Sequence, residues 1–186
     1  GVAYSFRVAA VYSSGASSFS DRTAPVTPMA GIATPIDLAP YANHRLQAVG
    51  GGAVSRFPEG KLSLGGVGFF IPVGGNNVWT GAAATGSNPR VLDVVVNATG
   101  VTKVSTLINT LWGERDPGSK ASITFLGSAG AVHTVQLDGD VHVRDYLWNT
   151  FTNTINGTST VNVFTAGSGR GNQVRLDRQK IGRAHV

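Results

Sequence analysis

Nucleophilic catalysis needs a serine, cysteine or threonine held beside a base, and this sequence offers no such arrangement. It has no cysteine, which removes thiolate nucleophiles, disulfides and thiolate metal sites together. No G-x-S-x-G elbow is present to expose a serine. Gly167-Ser168-Gly169-Arg170-Gly171 is rich in glycine but lacks the Lys-Ser/Thr pair of a phosphate loop, and no helical pattern follows it. It reads as a turn. His133 and His142 stand among alternating residues on or beside successive strands, and they read as solvent-facing. Glycoside hydrolysis would need two facing carboxyls, but of the ten acids Glu59, Glu114, Asp116, Asp138 and Asp140 fall in turns. The reading is that of a chain that is not an enzyme.

Two other groups point to binding. Asp138-Gly139-Asp140 offers carboxylates to a calcium ion, which takes six to eight oxygen ligands, although such acids also stabilise turns by local hydrogen bonds. No other cofactor is expected. The three tryptophans are the stronger lead. A pyranose packs its C–H face on an aromatic ring while amides, acids and guanidinium groups meet its hydroxyls, an apolar platform with a few placed polar groups. Trp79 follows Asn76-Asn77, and Trp148 lies near Arg144, Asp145 and Asn149. Tyr146 and Trp148 share parity, so an extended segment would project both to one side. These residues, with Trp148 first, form the candidate ligand site. Trp112, preceded by Leu107-Ile108, reads as packing.

The elements that must carry these residues are strands. The 186 residues are 41% hydrophobic and only 13% charged, with 25 glycines, and Val and Thr suit a pleated sheet better than a helix. Short strands are expected at Ile36-Asp37-Leu38, at Leu62 to Leu64 and Val67 to Ile71, at Val91 to Asn97 and from Val101 to Thr110. A clear hairpin joins Ala121 to Leu126 with Ala131 to Leu137. Asn156-Gly157 is expected to make a type I′ turn. Short strands at regular spacing mean a sandwich or barrel. No apolar run reaches the roughly 18 residues of a membrane span. The net charge of +5 comes from basic residues scattered singly, so no nucleic-acid partner is expected.

Residues 25–31, with Pro25 and Pro28, read as a semi-rigid linker between residues 1–24 and a main domain at 32–180. Residues 1–24 open on an alternating strand in which Tyr4, Phe6, Val8 and Ala10 share a face, followed by a turn at Ser13-Ser14-Gly15-Ala16. The last six residues, Ile181-Gly182-Arg183-Ala184-His185-Val186, resemble the translation of a common sequencing adapter. They are therefore expected to be a tail foreign to the fold, read through from a metagenomic fragment. Their deletion should then shift stability by no more than about 0.5 kcal/mol.

Residues 1–24 resemble the final hairpin of a fibronectin type III domain, which implies that Tyr4 forms a tyrosine corner. The main domain resembles a jelly-roll, galactose-binding-like module of secreted multidomain bacterial proteins. The resemblance is carried by Phe57-Pro58-Glu59-Gly60, Leu64-Gly65-Gly66-Val67-Gly68-Phe69, Asn76-Asn77-Val78-Trp79, Leu107-Ile108-Asn109-Thr110-Leu111-Trp112-Gly113, Arg144-Asp145-Tyr146 and Thr152-Asn153-Thr154-Ile155-Asn156-Gly157. Where such modules continue past the R-L-D-x-Q segment, this one meets the tail, so the sandwich is expected to be truncated and to expose an unpaired edge. The resemblance implies an all-β, jelly-roll-like β-sandwich serving as a non-catalytic carbohydrate- or cell-surface-binding module outside a bacterial cell. Its partner would be a polysaccharide or surface glycan; the alternative is a structural spacer or adhesin segment. Nothing in the sequence fixes the oligomeric state.

Overall fold

The computed structural model describes residues 11–12, 15–18, 20–21, 33–48, 57–81, 87–111, 118–148 and 153–182. The chain divides into two units, Gly1–Thr34 and Pro35–Val186. In the first, β1 (Val11–Tyr12) pairs antiparallel with β2 (Gly15–Ala16). Tyr4 and the 25–31 linker lie outside the described residues.

The second unit is all-β: antiparallel pairs joined by turns and short 3-10 segments, packed in layers as a β-sandwich requires. Among the described residues no helix is long and apolar enough to cross a membrane. β3 (Gly60–Leu64) and β4 (Val67–Ile71) form a hairpin in which Leu64 pairs with Val67. The turn between them is Gly65-Gly66, with φ of +60° and +77°, the left-handed pair that suits the twist of a two-residue hairpin. Gly65 is needed for space as well. A Cβ there would stand 2.8 Å from Val163 Cγ1, and Arg178 donates to the Gly65 carbonyl.

β5 (Val104–Leu107), β8 (Thr160–Ala166) and β9 (Val174–Ile181) form a sheet in the order β5-β9-β8, with β9 antiparallel to both neighbours. β6 (Ser119–Leu126) and β7 (Val132–Asp138) make the expected long hairpin, joined by a 3-10 turn at Ser128–Gly130. The main core gathers Phe57, Leu64, Ile71, Tyr146, Val174 and Leu176, with Leu62, Phe69 and Val163 packed against it. Alternation accounts for this set. Leu62 and Leu64, Phe69 and Ile71, and Val174 and Leu176 are each two apart on their strands, so one face of each enters the core.

Four expectations are corrected. Ile36-Asp37-Leu38 is not a strand: the Asp37 carboxylate accepts the Ala39 N–H at 2.9 Å and starts a 3-10 turn at Ala39–Tyr41. Val91 to Asn97 forms no ladder among the described residues, and Val91, Val95 and Val96 are exposed, because β propensity acts only where a neighbouring strand offers partners. Neither Asn156 nor Gly157 has positive φ, so no type I′ turn forms. Gly157 instead donates to the Val141 carbonyl at 3.0 Å, and a Cβ would stand 2.7 Å from that oxygen. Most consequentially, Ile181 belongs to the fold. It pairs with Val104 and is only 5% exposed, because the apolar alternation of β9 runs through it. Gly182 is exposed, and residues 183–186 lie outside the described set. β9 lies between β5 and β8 in its sheet.

Ile181→Ala should therefore lower the unfolding free energy by about 2–4 kcal/mol, as for other buried aliphatic truncations. Leu126→Ser, at a side chain 79% exposed, should change it by no more than about 0.5 kcal/mol. Urea denaturation of the two variants checks both.

Candidate functional site

β9 has two unlike faces. Val174 and Leu176 enter the apolar core, whereas Arg175, Asp177 and Gln179 point the other way and are still buried. Such polar groups are tolerated inside only when their bonds are made within the protein. Asp177, 0% exposed, receives Arg144 Nε at 2.7 Å on one carboxylate oxygen and Arg144 Nη2 at 2.8 Å on the other. Asn109 Nδ2 adds 2.7 Å and Asn162 Nδ2 adds 3.1 Å. The Asp177 N–H returns a bond to Asn109 Oδ1 at 3.0 Å. Gln179 spans from β9 to the end of β5, accepting the Ile108 N–H at 3.0 Å and donating to the Ile108 carbonyl at 2.9 Å.

Arg175 extends this network. Its Nη2 donates to the Asp145 carbonyl at 2.9 Å and to Asn153 Oδ1 at 2.9 Å. Burial first, then the neighbouring Arg144, pull its guanidinium down to about 10, with Asp177 and Asp145 opposing. Arg175 therefore remains charged at neutral pH.

The network fixes the backbone that carries Trp148. The Asp145 carboxylate accepts the Leu147 N–H at 2.8 Å. Tyr146 N–H donates to Thr110 O at 3.0 Å, and Tyr146 O accepts Arg175 N–H at 2.7 Å. Leu147 bridges Val174 in antiparallel fashion. Trp148 itself is clamped at both backbone groups by the β8–β9 loop: its N–H donates to Gln173 O at 2.9 Å, and its carbonyl accepts Gly171 N–H at 2.6 Å. The side chain is 41% exposed. An accessible indole thus sits on a pinned backbone beside a loop bearing Ser168, Arg170, Asn172 and Gln173.

The sequence-derived site is redistributed by this geometry. Trp148 is exposed. Tyr146 does not share its platform: it is 8% exposed and packs against Phe57 with ring centroids 6.2 Å apart. Simple parity failed because residues 144–148 lie between isolated bridges to Thr110 and Val174 rather than in one regular strand. Asp145, 1% exposed, and Arg144 are directed into the structure, not toward a ligand. Asn149 and Trp112 lie outside the described residues. Trp79 is half-buried against Gly81, where a Cβ would stand 2.9 Å from its Cη2. The loop residues Arg170, Asn172 and Gln173 were missed because a glycine-rich turn gives no sign of what it lies against.

The calcium candidates serve the fold. Asp140, at φ +60°, accepts on one oxygen the N–H groups of Asn153 at 3.2 Å and Thr154 at 3.1 Å and the Thr154 hydroxyl at 2.8 Å. Asp138 is partly covered and lies 3.7 Å from His142 Nδ1. Among the described residues no three acids or histidines gather as metal ligands would. The two histidines are not solvent-facing strand positions. His133 shares the parity of Val135 and Leu137, and with His142, Gln179 and Ile181 they line a half-open cavity of ≈ 180 Å³. His142 Nδ1 accepts the Asp138 N–H at 3.1 Å, which assigns the neutral ring's proton to Nε2.

The Tyr146 hydroxyl is raised above its ordinary value of 10.0, first by burial and then by Asp145. The neutral phenol is therefore the form the fold favours. The stability it confers is present below pH 10 and is lost as pH rises through the higher folded value. In an ultraviolet titration one of the four tyrosines should ionise late, and Tyr146→Phe should remove that component.

Compared with models of protein families, with curated proteins and with solved structures, the chain matches none.

Proposed function

We propose that this chain is a non-catalytic binding module of a secreted bacterial protein that attaches its parent to a polysaccharide or cell-surface glycan through Trp148. The observation that carries this reading is the exposed indole on a backbone held by hydrogen bonds at both its N–H and its carbonyl. Exposure of a large ring gives up the stabilisation its burial would bring. Rigid presentation lowers the ordering cost of binding. Sugar rings stack on such faces, and the loop that holds the Trp148 backbone carries Ser168, Arg170, Asn172 and Gln173.

Trp148→Ala should abolish retardation by the cognate polysaccharide in affinity electrophoresis while moving the thermal midpoint by no more than about 2 °C, as expected for a partly exposed side chain. Collapse of the midpoint would make Trp148 a core residue and move the search to Trp79. Unchanged retardation would remove the platform.

A further inference from the structure

The glycan reading can be carried to the chemical class of the ligand. From residue 146 to residue 176 the sequence contains no aspartate or glutamate, and its only charged residues are Arg170 and Arg175. Arg175 is consumed inside by Asp145 O and Asn153. Arg170 is different. It is exposed at the turn of the β8–β9 loop, and among the described residues it makes no hydrogen bond or ion pair. It immediately precedes Gly171, whose N–H is bonded to the Trp148 carbonyl. The Arg170 backbone is thus one residue from a hydrogen bond to Trp148.

The acids that might serve a neutral sugar are withdrawn. Asp145 is 1% exposed with its Oδ1 on Leu147 N–H, and Asp177 is fully buried under four donors. The described part of the site therefore carries amide and hydroxyl groups and one unneutralised cation beside an aromatic face, and no carboxylate. Complementarity then calls for a ligand that brings its own negative acceptor. Guanidinium meets a carboxylate by two parallel bonds, while the indole takes the C–H face of the same or the adjoining ring.

Resting on the glycan reading, we infer that the Trp148–Arg170 site selects acidic, uronate-bearing polysaccharide over neutral polysaccharide. The protein's net charge of +5 would assist encounter with such a polyanion at low ionic strength.

The test is affinity electrophoresis of the full chain in gels containing polygalacturonate, neutral galactan or dextran sulfate. Wild type, Arg170→Gln and Trp148→Ala are compared at two salt concentrations, with thermal midpoints recorded. Polygalacturonate alone of the first two should retard the wild type, less so at higher salt. Arg170→Gln should weaken that retardation about tenfold or more, the scale of a lost charge-assisted pair. Trp148→Ala should weaken it as well. If only Trp148→Ala weakens binding, or neutral galactan retards equally, the acidic class is wrong and the glycan reading stands. If neither variant changes any lane, both readings fail. If only Arg170→Gln matters, or dextran sulfate retards both variants as it does the wild type while polygalacturonate does nothing, the surface is a simple ion exchanger and the inference is overturned. Trp148→Phe, which keeps a ring in place, replaces the alanine variant should that one unfold.

Discussion

Asp177 sits where no water reaches, with Arg144 gripping both of its carboxylate oxygens. Removing a carboxylate and a guanidinium from water costs several kcal/mol per ion, recovered only when geometry and the remaining hydrogen bonds are satisfied. Here they are. Asn109 comes from the segment after β5, Asn162 from β8, Arg144 from the segment leading to Trp148, and Asp177 from the central strand. Four separate stretches of chain must arrive together for one carboxylate to be tolerated. A misregistered β9 would leave that charge unpaired, so the pair penalises alternatives more than it deepens the native state.

The second face of the same strand explains how the network stays dry. Val174 and Leu176 pack into the Phe57–Leu64–Ile71–Tyr146 core, and Tyr146 belongs to that core while its backbone bonds Arg175. The apolar and polar layers are thus coupled through one short segment, residues 144–148. Trp148 is the point at which that segment leaves the interior. Its exposure follows from position: the residues before it are held inward, and the β8–β9 loop holds its backbone outward.

How much of this was legible depends on what each pattern encodes. The β3–β4 and β6–β7 hairpins were readable because alternation and turn glycines agree there; Gly65 and Gly66 adopt the left-handed conformations that only such a turn demands. The R-L-D-R-Q run of β9 was not. A period of two tells that Arg175, Asp177 and Gln179 share a face, and polarity suggests that the face is wet. Only tertiary structure brings Asn109, Arg144 and Asn153 over it. His133 was legible in principle, since it shares parity with Val135 and Leu137, yet its polarity argued for the surface. Ile181 shows the converse error: an origin argument for the last six residues overrode the alternation that places it beside Val104. For the site, Trp148 stood out as an aromatic, but the loop that holds its backbone comes more than twenty positions later in the chain.

The dependence of the fold on one charged pair is most directly tested by a double-mutant cycle between Arg144→Met and Asp177→Leu, measured by urea denaturation. The account predicts that each single substitution costs about 3–5 kcal/mol, by leaving an uncompensated buried charge, and that the double mutant costs well below their sum. Additive losses, or single losses near 1 kcal/mol, would show that the pair does not organise the structure around it.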